Sequence, residues 1–171
     1  VRALRTLLPD CNTNSVRRAR YSFPVENQAG HEIADALGML LRRSTRTQLH
    51  RRITEGMGEG VDELTYPVLS TLARTGPRSA ADLAPDIGVD RSGVTRRASR
   101  LEAAGLLRRE PDPADGRAHL LVLTEQGRAA VAQLRARLAA HITASLASWP
   151  PGEAERFAHD LRRFLTEGPF A

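Results

Sequence analysis

"SAADLAPDIGVDRSGVTRRASRLEAAG", residues Ser79 to Gly105, decides the fold. Ser79 with Asp82 three positions on is a helix-start signal, and Leu83 and Ile87 recur behind it at helical spacing. Gly88 supplies a turn, Asp90 restarts a helix, and Gly105 ends it where a left-handed residue is wanted. A helix-turn-helix needs a small residue where its helices approach, a glycine in the turn, and apolar residues pinning the second helix. Ala84, Gly88 and Val94 stand in those places.

The second helix carries the chemistry. At 100° per residue, Val94, Ala98 and Leu101 share one face, so Ser92, Thr95, Arg96, Ser99 and Arg100 point away from the core. Arginines stand at 91, 96, 97 and 100 with no acidic residue between them, whereas Ser79 to Asp90 holds three aspartates and no arginine. Short side chains permit close approach to a major groove, hydroxyls reach phosphates or base edges, and an arginine fork pairs with guanine.

Beyond Gly105, "LLRREPDPADGRAHLLVLT" reads as a two-stranded hairpin. Pro111 and Pro113 stiffen the approach, Asp112, Asp115 and Gly116 make the turn, and Arg117 stands at the projecting end. An arginine so placed suits the enhanced negative potential of an A·T-rich minor groove. Helix, turn, helix and hairpin together define a winged helix-turn-helix.

The flanks are helical. From His31 to Thr54, Ile33, Leu37, Leu40, Leu41, Leu49 and Ile53 predict one long amphipathic helix, ended by Gly56, Gly58 and Gly60, which read as a flexible connector. Asp62 is expected to cap the next helix, with Leu64, Val68, Leu69 and Leu72 inward and Pro67 bending its first turns. Thr124 caps a long helix striped by Val131, Leu134, Leu138, Ile142, Leu146 and Trp149. After Pro150 and Pro151 a last helix carries Phe157, Leu161, Phe164 and Leu165.

Composition narrows the function. A chain of 171 residues is about one domain long, and its net charge of +5 favours a polyanionic partner. All 25 basic residues are arginine, which excludes lysine-dependent chemistry such as P-loops, Schiff bases and Ser-Lys dyads. No apolar run approaches the roughly 18 residues of a membrane span, so a soluble, cytoplasmic protein is expected. Cys11 alone makes no internal disulfide, and His31, His50, His119, His141 and His159 are too scattered for a metal site. No serine elbow, phosphate loop or metal cluster supports an enzyme, and no metal or cofactor is expected. A winged-helix protein-interaction module remains the alternative, with a small enzyme behind it.

The stretch from Leu72 to Gly127 resembles the winged helix-turn-helix of MarR-family transcriptional regulators. The resemblance lies in "DLA", "VTR…RLEAAGLL.R", the wing pattern "DP.D.RA" and the closing "LT..G", in order and at family spacing. It implies a bacterial homodimeric regulator on a pseudo-palindromic operator, a repressor or, less often, an activator. The implied class is mainly α with a small β-hairpin wing. Residues 30–58 and 124–168 would be dimerisation helices and 61–123 the DNA-binding lobe. The basic arm at 1–29 lies outside the resemblance and is read as disordered, as a strap across the dimer, or as a DNA contact through Arg17, Arg18 and Arg20.

The same resemblance carries DNA contacts onto Arg91, Ser92, Thr95, Arg96, Arg97 and Ser99 of the recognition helix. It adds Ser79 at the start of the supporting helix, and Arg117 of the wing with Asp115 as its tether. Many members release DNA on binding a small phenolic or other apolar effector; no residue here identifies one. Peroxide-sensing members place a cysteine near the start of the first helix, a pattern that Cys11, some 20 residues before His31, does not match.

Overall fold

The computed structural model describes residues 28–115 and 118–168. Cys11 and most of the expected basic arm, residues 1–27, lie outside the described residues, as do Gly116 and Arg117. None of the described helices is long and apolar enough to cross a membrane.

The N-terminal helical stretch differs from the single helix expected. Helix α1 spans Gln28–Leu41, so Gln28 and Ala29 belong to it rather than to the arm. At Arg42 the backbone turns extended (φ −58°, ψ 134°), and α2, Arg43–Thr54, follows. Ser44, Thr45 and Thr47, just past the break, are hydroxyl residues that hold a helix weakly, a feature that apolar periodicity does not register. Helix α1 buries none of its residues; Ile33, Met39, Leu40 and Leu41 are all exposed.

From Leu41 onward one core forms. Ile53 of α2 meets Val68, Leu69 and Leu72 of α3 (Tyr66–Thr75), Leu83 of α4 (Ala80–Ile87), and Val94, Ala98 and Leu101 of α5 (Arg91–Ala103). Leu107 of β2 (Leu107–Pro111), Leu121 and Leu123 of β3 (His119–Leu123), and Val131 and Leu134 of α6 (Glu125–Leu146) close it. Helix α7 spans Glu153–Glu167 and buries no residue. Strands β2 and β3 form the expected antiparallel hairpin. A third strand, β1 (Arg78–Ser79), pairs with β3 in the order β1-β3-β2. Two residues are too short to show an alternation, and the sequence reading missed β1.

Four local readings change. Helix α3 starts at Tyr66, so Pro67 sits at its beginning, where a missing donor costs little, and does not bend it. Leu64 lies in the preceding turn and is 45% exposed rather than buried. Asp62 caps that turn: its carboxylate accepts from the N–H groups of Leu64 and Thr65 (both 2.9 Å), while Asp62 N–H donates to Thr65 Oγ1 (2.9 Å). Gly60 is more than a connector. A Cβ there would lie 2.6 Å from Ala104 Cβ, and its carbonyl accepts from the buried Thr65 hydroxyl (2.7 Å). The turn is therefore packed against the end of α5.

Asp62 also accepts from Arg100 Nη2 at 2.6 Å, tying α5 to this turn. Burial by itself would raise the Asp62 carboxyl, but the Arg100 guanidinium and the N–H groups of Thr65 and Leu64 outweigh it and hold the group below its ordinary value. A depressed carboxylate stabilises the fold above its unfolded pKa of about 3.9, and the contribution is lost as pH falls through the lower folded value. Asp62→Asn should therefore lose less thermal stability than wild type between pH 6 and pH 2. Equal losses in a pair of calorimetric scans would remove Asp62 from the acid response.

Candidate nucleic-acid interface

The two motif helices begin on side-chain caps. Ser79 accepts from Asp82 N–H (3.2 Å) and donates to the Asp82 carboxylate (2.8 Å), so its hydroxyl already serves α4. Asp90 accepts from Gly93 N–H at 2.7 Å and starts α5. That N–H and the Ser92 hydroxyl hold the Asp90 carboxyl below its ordinary value. Between the helices Gly88 is left-handed (φ 74°), and its N–H and that of Val89 both donate to Ala84. At the far end Gly105 is left-handed as expected, and Leu106 N–H reaches back to Leu101.

Helix α5 faces both ways as its sequence requires. Val94 and Leu101 are fully buried and Ala98 nearly so, while Arg91, Ser92, Arg96, Ser99 and Arg100 are exposed and Thr95 is partly so. A polar chain runs along the outer face: Ser92 donates to Asp90 (3.0 Å) and accepts from Arg96 Nη1 (3.1 Å). Arg96 is thus aimed along the face, and among the described residues its other donors meet no hydrogen-bond acceptor. Thr95 spends its hydroxyl proton on the Arg91 carbonyl (2.9 Å), which leaves oxygen lone pairs and a methyl group outward.

The candidates do not all share that face. Arg91, Ser92, Thr95 and Arg96 come together on it. Arg97 lies on the flank, lining a cleft of about 430 Å³ with Arg43, Arg46, His50, Tyr66 and Arg74. Ser99 is outward but accepts from Arg109 of β2 (2.9 Å). Neither the engagement of Ser99 by Arg109 nor the tie from Arg100 to Asp62 was found by sequence reading, because both depend on partners distant in the chain. In the wing, Asp112 N–H donates to Ala118 and Ala118 N–H to Asp115, closing the strand ends toward each other. The expected tether of Asp115 to Arg117 lies outside the described residues.

A helix that carries four arginines and no acid from Arg91 to Arg100, presented by a second helix and followed by a β-hairpin, defines a DNA-binding protein of the winged helix-turn-helix class. A profile of the MarR family matches residues 59–118. The chain is 30% identical over 103 residues to the HTH-type transcriptional regulator YxaD of Bacillus subtilis, covering 60% of this chain and 72% of that protein. It is 28% identical over 108 residues to the repressor NicR of Pseudomonas putida, covering 63% and 68%. Among solved structures, the PcaV regulator of Streptomyces coelicolor, in complex with its natural ligand, superposes with a TM-score of 0.51 at 27% identity, over 83% of this chain and 94% of that one. The protein belongs to the MarR family and is a DNA-binding transcriptional regulator.

Proposed function

We propose that the chain acts in the cytoplasm as a homodimeric repressor that reads a pseudo-palindromic operator and releases it on binding a small effector. The observation that carries the DNA reading is the outer face of α5, where Arg91, Ser92, Thr95 and Arg96 are clustered without an acid among them. Arg117, which stands in the sequence between β2 and β3, is assigned the minor-groove contact by its place in the wing pattern. Selection of bound fragments from a random DNA pool tests the reading. An enriched two-fold related site supports it; no enrichment would leave the protein-interaction module as the better account.

Arg117→Ala should weaken operator binding and make its salt dependence shallower by about one, the mark of one lost phosphate-directed cation. An unchanged slope would remove Arg117 from the interface.

Dimerisation is supported by apolar side chains left in water: Ile142 on α6, Trp149 in the link, and Phe157, Leu161 and Leu165 on α7 are 40–49% exposed. Trp149 and Phe157 touch at 5.4 Å between ring centroids, grouping part of this surface. A second copy is the natural cover for a patch of this kind. Phe157→Glu with Leu161→Glu should shift the sedimentation coefficient to that of a monomer; an unchanged value would place the interface elsewhere.

The effector is assigned to the cleft flanked by α2, α3 and α5. Its two carboxylates are already engaged, Glu63 with Arg51 and Asp86 with Arg78, both at 3.5 Å. Arg43, Arg46, Arg74 and Arg97 therefore dominate its charge beside the His50–Tyr66 ring pair at 4.6 Å. Burial is the main cause holding His50 below its ordinary pKa, which favours the neutral ring. A phenolic or aromatic acid fits these walls. Operator release by a panel of such acids, and its loss in Arg74→Ala, is the test; release unaffected by the substitution would move the site.

A further inference from the structure

Alternation gives strand β2 two faces. Leu107, Arg109 and Pro111 share one, and Arg108 and Glu110 share the other, where they pair at 2.7 Å. The first is the core face: Leu107 lies opposite Leu123, and Arg109 lies opposite the buried Leu121. An arginine thus occupies a register position where the pattern calls for an apolar residue. Its guanidinium turns back to the recognition helix, Nε donating to Glu102 Oε2 (3.0 Å) and Nη2 to Ser99 Oγ (2.9 Å). Ser99 and Glu102 are three apart and so lie on one side of α5. Beyond Leu107, β2 has no buried residue, so its outer half has no apolar anchor of its own.

We propose that Arg109 is a positioning residue for DNA reading. It bolts the β2–β3 hairpin to the recognition helix and sets the spacing between Arg96 on α5 and the outer ends of the two strands, and so between the two grooves they face. A partly exposed pair of this kind adds little to global stability, so its contribution is geometric. The inference rests on the DNA reading proposed above, and it accounts for an observation that reading leaves aside, a recognition-helix serine already engaged by the wing strand.

Arg109→Met keeps the aliphatic stem and removes the donors. In the free 171-residue chain, the amides of Glu110, Asp112 and Ala118 should exchange about tenfold faster while those of α5 keep their rates. The melting temperature should move by no more than about 2 °C. Ser99→Ala added to Arg109→Met should bring no further acceleration, because the two residues act through one bond. On the selected operator, affinity should fall about tenfold, with protection lost at the minor-groove positions under the wing and retained in the major groove. Arg109→Lys should restore part of both.

Unchanged hairpin exchange overturns the proposal. So does a salt slope shallower by about one with exchange unaltered, since that marks Arg109 as a direct phosphate contact. Exchange is read without DNA, so failure to enrich any operator sinks the DNA reading while the clamp is still decided by the free protein.

Discussion

Gly127→Ala is expected to destabilise the protein by about 3 kcal/mol, at the upper end of the overpacking range, and to lower its melting temperature by about 6–12 °C. Gly127 lies in the first turn of α6, where a Cβ would stand 2.1 Å from the carbonyl oxygen of Leu106 and 3.2 Å from Leu123 Cδ2. The obstacle is backbone and cannot rotate away. That same carbonyl accepts from Thr124 N–H (3.1 Å), and the Thr124 hydroxyl donates to Gly105 (2.7 Å) while accepting from Gly127 N–H (3.0 Å). Two hydrogen bonds from Thr124 therefore pull the start of α6 onto the α5–β2 junction while the third caps the helix itself, and only a residue without a side chain lets it arrive. The "LT..G" pattern thus has a physical reading: a cap, and a contact distance two residues into the helix. Gly38→Ala, in α1 with no neighbour within 4 Å of the new Cβ, is the control and should be neutral or slightly stabilising. Denaturant melts that place Gly127→Ala within about 0.5 kcal/mol of wild type would refute this account of the junction.

The second large effect belongs to Arg96. Arg96→Ala should cost about 1–3 kcal/mol on the preferred operator, equivalent to roughly a 5- to 150-fold loss of affinity, and a smaller amount on random DNA. The reason is geometric. One Nη of Arg96 is held by Ser92, itself anchored to the Asp90 cap, so the guanidinium is orientated before DNA arrives. Less ordering entropy then opposes binding. Ser92→Ala should give a weaker version of the same defect, since it frees the arginine without removing it. Equal losses on operator and random DNA would show that Arg96 meets phosphate and not a base edge.

Much of the interface was legible because its signals are local. Ser79, Asp90 and Thr124 act as caps on backbone donors three residues away, and Val94, Ala98 and Leu101 pin α5 by helical period alone. The hairpin follows from two apolar runs with a proline and glycine turn between them, and β2 and β3 pair as that pattern requires. The interruption at Arg42 was not legible, since the apolar spacing runs through it unbroken. Strand β1 was missed because a two-residue pairing exists only through its partner, β3.

Side-chain duties divide along the same line. Periodicity alone places Ser92, Thr95, Arg96 and Ser99 on an outward face, and the acid-free run of arginines marks that face as one for a polyanion. Which outward groups remain available was decided by chain segments brought from elsewhere. Arg109 engages Ser99, and Asp62, 38 residues before its partner, engages Arg100; Arg97 faces a cleft shared with α2 and α3. Caps, turns and amphipathic faces follow from interactions within about four residues, which a sequence displays directly. Arg109 on the core side of β2, and Gly127 within contact of Leu106, acquire meaning only when strand and helix close on each other, because a side chain's neighbours across the fold are set by packing.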